Sequence, residues 1–307
     1  MLFEPGKVLR KILIEEFPLQ IVGVINALSA KLAAKAGFRA IYLSGAGVAN
    51  ADLAMPDLGL TTLDDVLLQI RRISAVSELP LIVDVDTGWG SPLMIRRTFF
   101  EIEKAGAAGA HIEDQHYIKR CGHRPGKKLV SIEEMCERIR AACRGRIKSD
   151  FMVIARTDAY AEEGIEGVIQ RASAYQLAGA DMLFAEAIPS LEEYKKLTEV
   201  LSFPILANMT EFGKTPMLTL EEFASANVSC VLYPLSAFRA MNAAAETCYK
   251  IIRKEGTQLP MLDLMQSREE LYALLDYHRI ERELDAYLDK IESIPTANDL
   301  KESVKDE

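Results

Sequence analysis

Eight short apolar runs recur along the chain, most of them followed by a longer amphipathic stretch, and this repetition limits the fold more than any other feature. The runs are Ile21–Asn26, Ala40–Ser44, Leu81–Asp86, Gly109–Asp114, Phe151–Thr157, Asp181–Glu186, Ile205–Asn208 and Ser229–Tyr233. Intervening stretches such as Ser91–Ala105, Ile132–Ala142 and Ile165–Ala178 carry helical periodicity. Buried strands alternating with helices imply a parallel sheet covered on both faces. Eight such units favour a closed (β/α)₈ TIM-type barrel over an open doubly wound sheet, and 307 residues fit a single barrel. A catalytic barrel domain over residues 1–294 is therefore expected. Beyond the eighth run, Ala237–Glu255 and Arg268–Ile291 read as helices, one more than a barrel needs for closure. The surplus helix is expected to pack on a neighbouring subunit or to cover the barrel bottom. Residues 295–307 are charged and poor in apolar side chains, and are expected to form a mobile tail.

Polar groups stand at the ends of nearly all these runs. Ser44, Asp84, Asp86, Glu113, Arg156, Glu186, Asn208 and Tyr233 lie at or near predicted C-terminal strand ends, the face that carries the chemistry of such barrels. In Asp84-Val85-Asp86-Thr87-Gly88-Trp89-Gly90, residues two apart project to one strand face, which predicts converging carboxylates. Paired carboxylates repel unless a cation lies between them or one is protonated. Such hard oxygen donors suit Mg²⁺ or Mn²⁺. Arg156 can hold a carboxylate bidentately, and Asn208 and Thr210 can donate to a second one. Ser44-Gly45-Ala46-Gly47 offers a hydroxyl and closely approaching amides. Arg239 and Arg268 are further anion contacts, with a solvated surface role as the alternative. His111 and His116 flank Glu113 and are read as structural.

Lys119-Arg120-Cys121-Gly122-His123-Arg124, continuing to Gly126-Lys127-Lys128, places one cysteine among six groups that are or can be cationic. The chain as a whole carries a net charge of -9, so this concentration is not background composition. Neighbouring positive charge lowers a thiol pKa, and the glycines suggest a hinged loop carrying a reactive thiol. The five cysteines, Cys121, Cys136, Cys143, Cys230 and Cys248, include no CxxC pair, which argues against a disulfide framework or a zinc site. No run approaches the roughly 18 apolar residues of a membrane span, and Met1–Arg10 lacks the apolar core of a secretory signal. A soluble, cytoplasmic protein is expected. Acidic charge argues against a nucleic-acid partner. No P-loop, strand-linked GxGxxG or GxSxG element is present.

The Lys119–His123 loop resembles the active-site loop of the isocitrate lyase family, and Asp84–Gly90 resembles the metal strand of the wider isocitrate lyase and phosphoenolpyruvate mutase superfamily. The similarity extends to Tyr42-Leu43-Ser44-Gly45, Ala155–Asp158, Asn208–Gly213 and Tyr233–Asn242. Lys119-Arg120 stands where longer isocitrate lyases usually read Lys-Lys, which points to the branch acting on 2-methylisocitrate. The resemblance implies a homotetramer that exchanges its C-terminal helices, a small tricarboxylate substrate and a required Mg²⁺, with Mn²⁺ as the alternative ion. It implies carbon–carbon cleavage to pyruvate and succinate; isocitrate cleavage to glyoxylate is the alternative, and a non-catalytic binding barrel is the alternative from another class. By the same resemblance, Asp84 and Asp86 organise the metal, directly or through water, with Asp57 and Glu113 nearby. Ser44, Gly45, Ala46, Gly122, Arg156, Glu186, Asn208, Met209, Thr210, Arg239 and Arg268 contact substrate, with Phe184, Leu232 and Pro234 around its methyl group. Cys121 is implied as the acid, with Lys119, His123, Glu113 and Tyr42 as its catalytic neighbours. The base stays open among Tyr42, Glu113 and a metal-bound water. Ala46 stands where the family often has glycine, which narrows the backbone approach there.

Overall fold

A computed structural model describes residues 4–124 and 126–292; the tail expected at 295–307 lies outside the described residues. The chain forms two compact units divided after Ala244. In the first, eight parallel strands close into a barrel in sequence order: β1 (Leu19–Gly23), β2 (Ala40–Leu43), β3 (Leu81–Asp84), β4 (Gly109–Glu113), β5 (Met152–Thr157), β6 (Met182–Ala185), β7 (Ile205–Asn208) and β8 (Cys230–Tyr233). Closure runs through β1 and β8, with Leu19 opposite Cys230 and Val22 opposite Tyr233. The eightfold repeat thus predicts the fold correctly, although β1 begins at Leu19 rather than Ile21.

The helices of this unit are α1 (Pro5–Glu15), α2 (Ala27–Lys35), α3 (Gly45–Leu53), α4 (Leu63–Ser74), α5 (Pro92–Lys104), α6 (Ile132–Gly145), α7 (Tyr160–Leu177), α8 (Leu191–Val200) and α9 (Leu220–Ser225). The division between the units falls inside α10 (Ser236–Glu255). Local chemistry explains where several helices start. Asn26, Thr62 and Thr219 cap α2, α4 and α9 in reciprocal bonds with Ser29, Asp65 and Glu222, satisfying amides that a helix end leaves open. Apolar residues three and four apart then turn one face inward: Val66, Leu67, Ile70 and Ile73 of α4, and Ile95, Phe99 and Ile102 of α5, are buried. Each such side chain contributes roughly 1.5–3 kcal/mol through burial.

Alternation along the strands separates two apolar layers. Val153 and Ala155 of β5 join the layer between strands and helices, whereas Met152 and Ile154 enter the barrel interior with Leu19, Ile21, Ile82, Met182 and Cys230. Leu9 and Ile12 of α1 complete that interior cluster. The interior is therefore plugged by an N-terminal helix that the sequence reading did not single out. Its signals were Pro5 in the first turn and apolar Leu9, Ile12 and Leu13. Among the interior positions, apolar residues give way to Asp84, Glu113, Arg156 and Asn208 at the strands' C-terminal ends.

The second unit holds a 3₁₀ turn (Leu259–Leu264), α11 (Arg268–Leu275) and α12 (Tyr277–Glu292). The single helix expected over Arg268–Ile291 is broken at Asp276, whose left-handed φ of 55° ends α11. Ile280, Leu284, Tyr287, Leu288 and Ile291 are exposed and share one face of α12.

Candidate active site

Strand ends and following loops enclose a cleft of about 160 Å³, lined among others by Tyr42, Ser44, Ala46, Asp57, Asp84, Lys119, Cys121, Gly122, His123, Arg156, Glu186, Asn208, Thr210 and Arg239. Residues scattered from 42 to 239 thus meet because each ends or follows a barrel strand. Ser44 precedes α3 without a capping bond from its side chain, which leaves the hydroxyl to the cleft.

Among the described residues, Asp84, Asp86 and Glu113 place one carboxylate oxygen each within 4.8 Å of the others. All three are buried. The convergence arises differently from the strand-face argument. β3 ends at Asp84, and Asp86 lies beyond it with φ at 49°, so the turn rather than the pleat brings the second carboxylate back. The Asp86 amide donates to Asp84 Oδ1 at 3.0 Å, and the Gly45 amide donates to Asp84 Oδ2 at 3.0 Å. A Cβ on Gly45 would lie 3.1 Å from that oxygen, which accounts for glycine there. Asp57 is not in the group of three; its Oδ1 accepts from Lys119 Nζ at 2.7 Å, and the same ammonium is bonded to Asp86.

The charges in this cluster are unequal. Burial works against ionisation of Asp84, but His111, Lys119 and Arg156 outweigh it and hold the carboxyl down to about 2. Burial, with Asp84 and Asp57 nearby, pushes Asp86 up to about 6 against the pull of Lys119. Burial raises Glu113 well above the ordinary carboxylate range. Both Glu113 oxygens lack a hydrogen-bond partner, and the nearest cation is Arg156 Nε at 3.4 Å.

Below the cluster sits His111, which by sequence alone reads as structural. Its Nε2 is 2.8 Å from the Tyr42 hydroxyl and 3.5 Å from Asp84 Oδ1, and its ring stacks on Tyr42. Burial lowers His111 to about 4, so it is neutral at pH 7. At that pH, Lys119, Arg156 and the two amides are what keep Asp84 ionised. Burial, reinforced by Asp84, raises Tyr42 well above its usual range. The missed signal was alternation: His111 lies two residues before Glu113 on β4 and shares its inward face. His116 is different, packing against Tyr117 at 4.3 Å in the following loop.

Arg156 is surrounded by acids. Its Nε donates to Asp158 Oδ2 at 3.1 Å, its Nη2 lies 3.1 Å from Glu186 Oε2, and its guanidinium stands over Phe184 at 5.0 Å. Asn208 donates to both Glu186 oxygens at 3.1 and 3.2 Å, and Thr210 donates to Asn208 Oδ1 at 2.9 Å. Burial opposes ionisation of Glu186, but Arg156, His123 and Asn208 hold its carboxyl well below the usual range. The Lys214 amide donates to His123 Nδ1 at 3.1 Å, which places the ring proton on Nε2, 3.1 Å from Glu186 Oε1. Arg239 stands at the mouth, 3.6 Å from Glu211.

The cysteine loop corrects one expectation. Cys121 is half-buried beside the cleft, and its pKa is raised, not lowered: burial is the leading cause and outweighs the His123 amide and Arg156, with Asp57 and Glu186 adding to it. Two of the loop's cations are committed elsewhere, Lys119 to Asp57 and Asp86, and Lys127 to Asp158 at 3.0 Å. Gly122 is no hinge. A Cβ there would lie 2.5 Å from Arg156 Nη2 and 2.5 Å from Glu186 Cγ, so its role is close approach. Met209 also departs from the expected substrate contact: its side chain packs in the layer between strands and helices, and its sulfur accepts from the Leu218 amide at 3.3 Å. Arg268 belongs to the second unit, where it is exposed and opens α11.

Comparison with known proteins adds an independent line. A profile of the phosphoenolpyruvate phosphomutase family matches residues 9–253. The 2-methylisocitrate lyase of Salmonella typhimurium is 56% identical over 286 residues, covering 93% of this chain and 97% of the relative. That of Aeropyrum pernix is 45% identical over 91% of this chain and 89% of its own. A crystal structure of 2,3-dimethylmalate lyase, a PEP mutase/isocitrate lyase superfamily member, superposes with a TM-score of 0.85 at 35% identity, covering 94% of this chain and 96% of that one. Oxaloacetate acetylhydrolase in complex with 3,3-difluorooxalacetate gives a TM-score of 0.86 at 34% identity, over 92% and 97%.

Proposed function

The chain belongs to the phosphoenolpyruvate phosphomutase family, within the isocitrate lyase and PEP mutase superfamily, and from that premise we propose that it cleaves 2-methylisocitrate to pyruvate and succinate. The observation that carries this reading is the meeting, at one cleft, of the Cys121 turn with Asp84, through which the three-carboxylate cluster reaches the cleft. Similarity at 56% to a 2-methylisocitrate lyase supports the same substrate.

Mg²⁺ is proposed as the cofactor, and the donors present fit it. Three buried carboxylates offer hard oxygens, and Glu113 has two oxygens without any hydrogen-bond partner, an arrangement that a divalent cation compensates. Asp84, Asp86 and Glu113 would hold the ion, which when bound supplies positive charge to the substrate's hydroxyl and adjoining carboxylate.

The remaining work falls to the chain. Substrate carboxylates are received by Arg156, Asn208, Thr210 and the Ser44 hydroxyl, with Arg239 at the mouth. Breaking the C2–C3 bond leaves an electron pair on the succinate fragment, and Arg156 and its neighbouring donors stabilise that charge as it develops. A thiol kept protonated at neutral pH is a proton donor, so Cys121 transfers its proton to the carbanionic carbon and becomes the thiolate. Lys119, already between Asp57 and Asp86, steadies the acidic side of the cleft. His123 Nε2 stands 3.1 Å from Glu186 Oε1, beside the Arg156–Glu186 contact. Tyr42 and Glu113 are the side chains nearest to the base's task. With Tyr42 raised by burial, its phenolate is an expensive base, and Glu113 is the better candidate once its charge is balanced. Phe184, Leu232 and Pro234 line the apolar part of the cleft, where one methyl group discriminates by about 1–3 kcal/mol.

Incubating the protein with Mg²⁺ and either 2-methylisocitrate or isocitrate, and quantifying pyruvate against glyoxylate, tests the assignment. Pyruvate should dominate. Dominant glyoxylate would make isocitrate the substrate, and the absence of both products would overturn the lyase reading. We also propose a cytoplasmic homotetramer exchanging its C-terminal helices, serving propionate breakdown. The exposed apolar face of α12 supports the assembly; among the described residues no helix is long and apolar enough to cross a membrane.

A further inference from the structure

We propose that Lys127 is a positioning residue that latches the Cys121 turn shut over the cleft. Lys127 is 6% exposed, although its neighbours Gly126 and Lys128 are exposed. A buried ammonium is stable only with partners, and Lys127 has two on different parts of the molecule. It donates to the Gly122 carbonyl at 2.6 Å, on the loop, and to Asp158 Oδ1 at 3.0 Å, just beyond β5. One side chain therefore ties the peptide after Cys121 to the barrel.

The barrel end of this tie is rigid. The Asp158 amide donates to Asp114 Oδ1 at 2.9 Å, and Asp114 Oδ2 accepts from Thr157 Oγ1 at 2.6 Å and from the Tyr175 hydroxyl at 2.9 Å. The loop end is short, since the Arg124 amide closes a turn onto the Cys121 carbonyl at 2.9 Å. Lifting the turn breaks the Lys127–Gly122 bond and leaves the Gly122 carbonyl without that partner. Lys119 pins the other side of Cys121, but its loss also changes the charge at the carboxylate cluster. Lys127 holds the turn without bonding that cluster; it shares Asp158 with Arg156, and Lys127→Arg, which keeps the charge there, separates position from charge.

The kinetic part rests on the proposed lyase reading; the chemical part does not. Iodoacetamide labelling of Cys121, mapped by mass spectrometry in the full chain, is compared for wild type, Lys127→Met, Lys127→Arg and Lys128→Met, alongside turnover of 2-methylisocitrate. In Lys127→Met, labelling of Cys121 should rise roughly tenfold to a hundredfold, the factor that a charge-assisted hydrogen bond supplies. kcat should fall by a similar factor with KM changed less, Lys127→Arg should recover part of both, and Lys128→Met should alter neither. Wild-type labelling of Cys121 in Lys127→Met would overturn the proposal. So would simultaneous labelling of Cys136, Cys143, Cys230 and Cys248 with early melting, which would mark Lys127 as general support for the fold. If the labelling pattern holds while wild type fails to cleave 2-methylisocitrate, the latch stands and the reaction assigned to the site falls.

Discussion

Gly122→Ala probes the packing of the acid turn with a single methyl group. The added Cβ would lie 2.5 Å from Arg156 Nη2, 2.5 Å from Glu186 Cγ and 2.8 Å from Glu186 Cδ. These are about 1 Å inside ordinary carbon contact. Neither neighbour yields easily: Arg156 is held by Asp158 and Glu186, and Glu186 by Asn208. The φ of Gly122 is outside the left-handed region, so alanine adds no backbone strain and the effect is steric. The turn must rise by roughly 1 Å, at an overpacking cost of about 1–3 kcal/mol. A misplacement of that size at a reacting group costs on the order of a hundredfold in rate. The expected result is kcat for 2-methylisocitrate reduced about a hundredfold, KM altered less, and thermal unfolding shifted by only a few degrees. A kcat within about threefold of wild type, with the fold intact, would refute the claim that the Gly122–Arg156 contact sets the position of Cys121.

The Cys121 pKa makes a prediction with opposite signs in two assays. Turnover needs the thiol, so its alkaline limb should lie above the ordinary cysteine range, while alkylation needs the thiolate and should rise only over that same high range; alkylation already complete near neutrality would contradict it. Glu113→Gln should fold but lose stabilisation by Mg²⁺. At an ion concentration a hundredfold above Kd, wild type gains about 2.7 kcal/mol, read as a rise of roughly 5 °C or more in melting temperature, and an equal rise in the variant would remove Glu113 from the metal site. Gly23→Ala attacks closure of the barrel, because its Cβ would fall 1.7 Å from the Pro234 carbonyl oxygen. Destabilisation of at least about 3 kcal/mol is expected in denaturant titration, and a neutral result would mean that the β1–β8 seam has slack.

What the sequence by itself determined was periodic. Eight buried runs spaced by amphipathic stretches specify a parallel barrel, because period-2 and period-3.6 patterns admit few other ways of burying their apolar faces. The same logic placed Asp84, Glu113, Arg156, Glu186 and Asn208 at the reactive end, since strand direction and strand end are local facts. It could have placed His111 as well, two residues below Glu113. What only the tertiary structure decided was who neighbours whom. Cys121 appears cationic in sequence, yet folding commits Lys119 and Lys127 to Asp57, Asp86 and Asp158 and leaves the thiol to burial and nearby acids. Asp57 and Glu113 both read as carboxylates near a metal, but the fold pairs Asp57 with a lysine 62 positions away and brings Glu113 into the cluster. Gly122 reads as a hinge and is a contact surface. The physical reason is common to all three. Periodicity fixes which face a side chain presents, but charge and space depend on distances between segments far apart in the chain, and those exist only after the barrel closes.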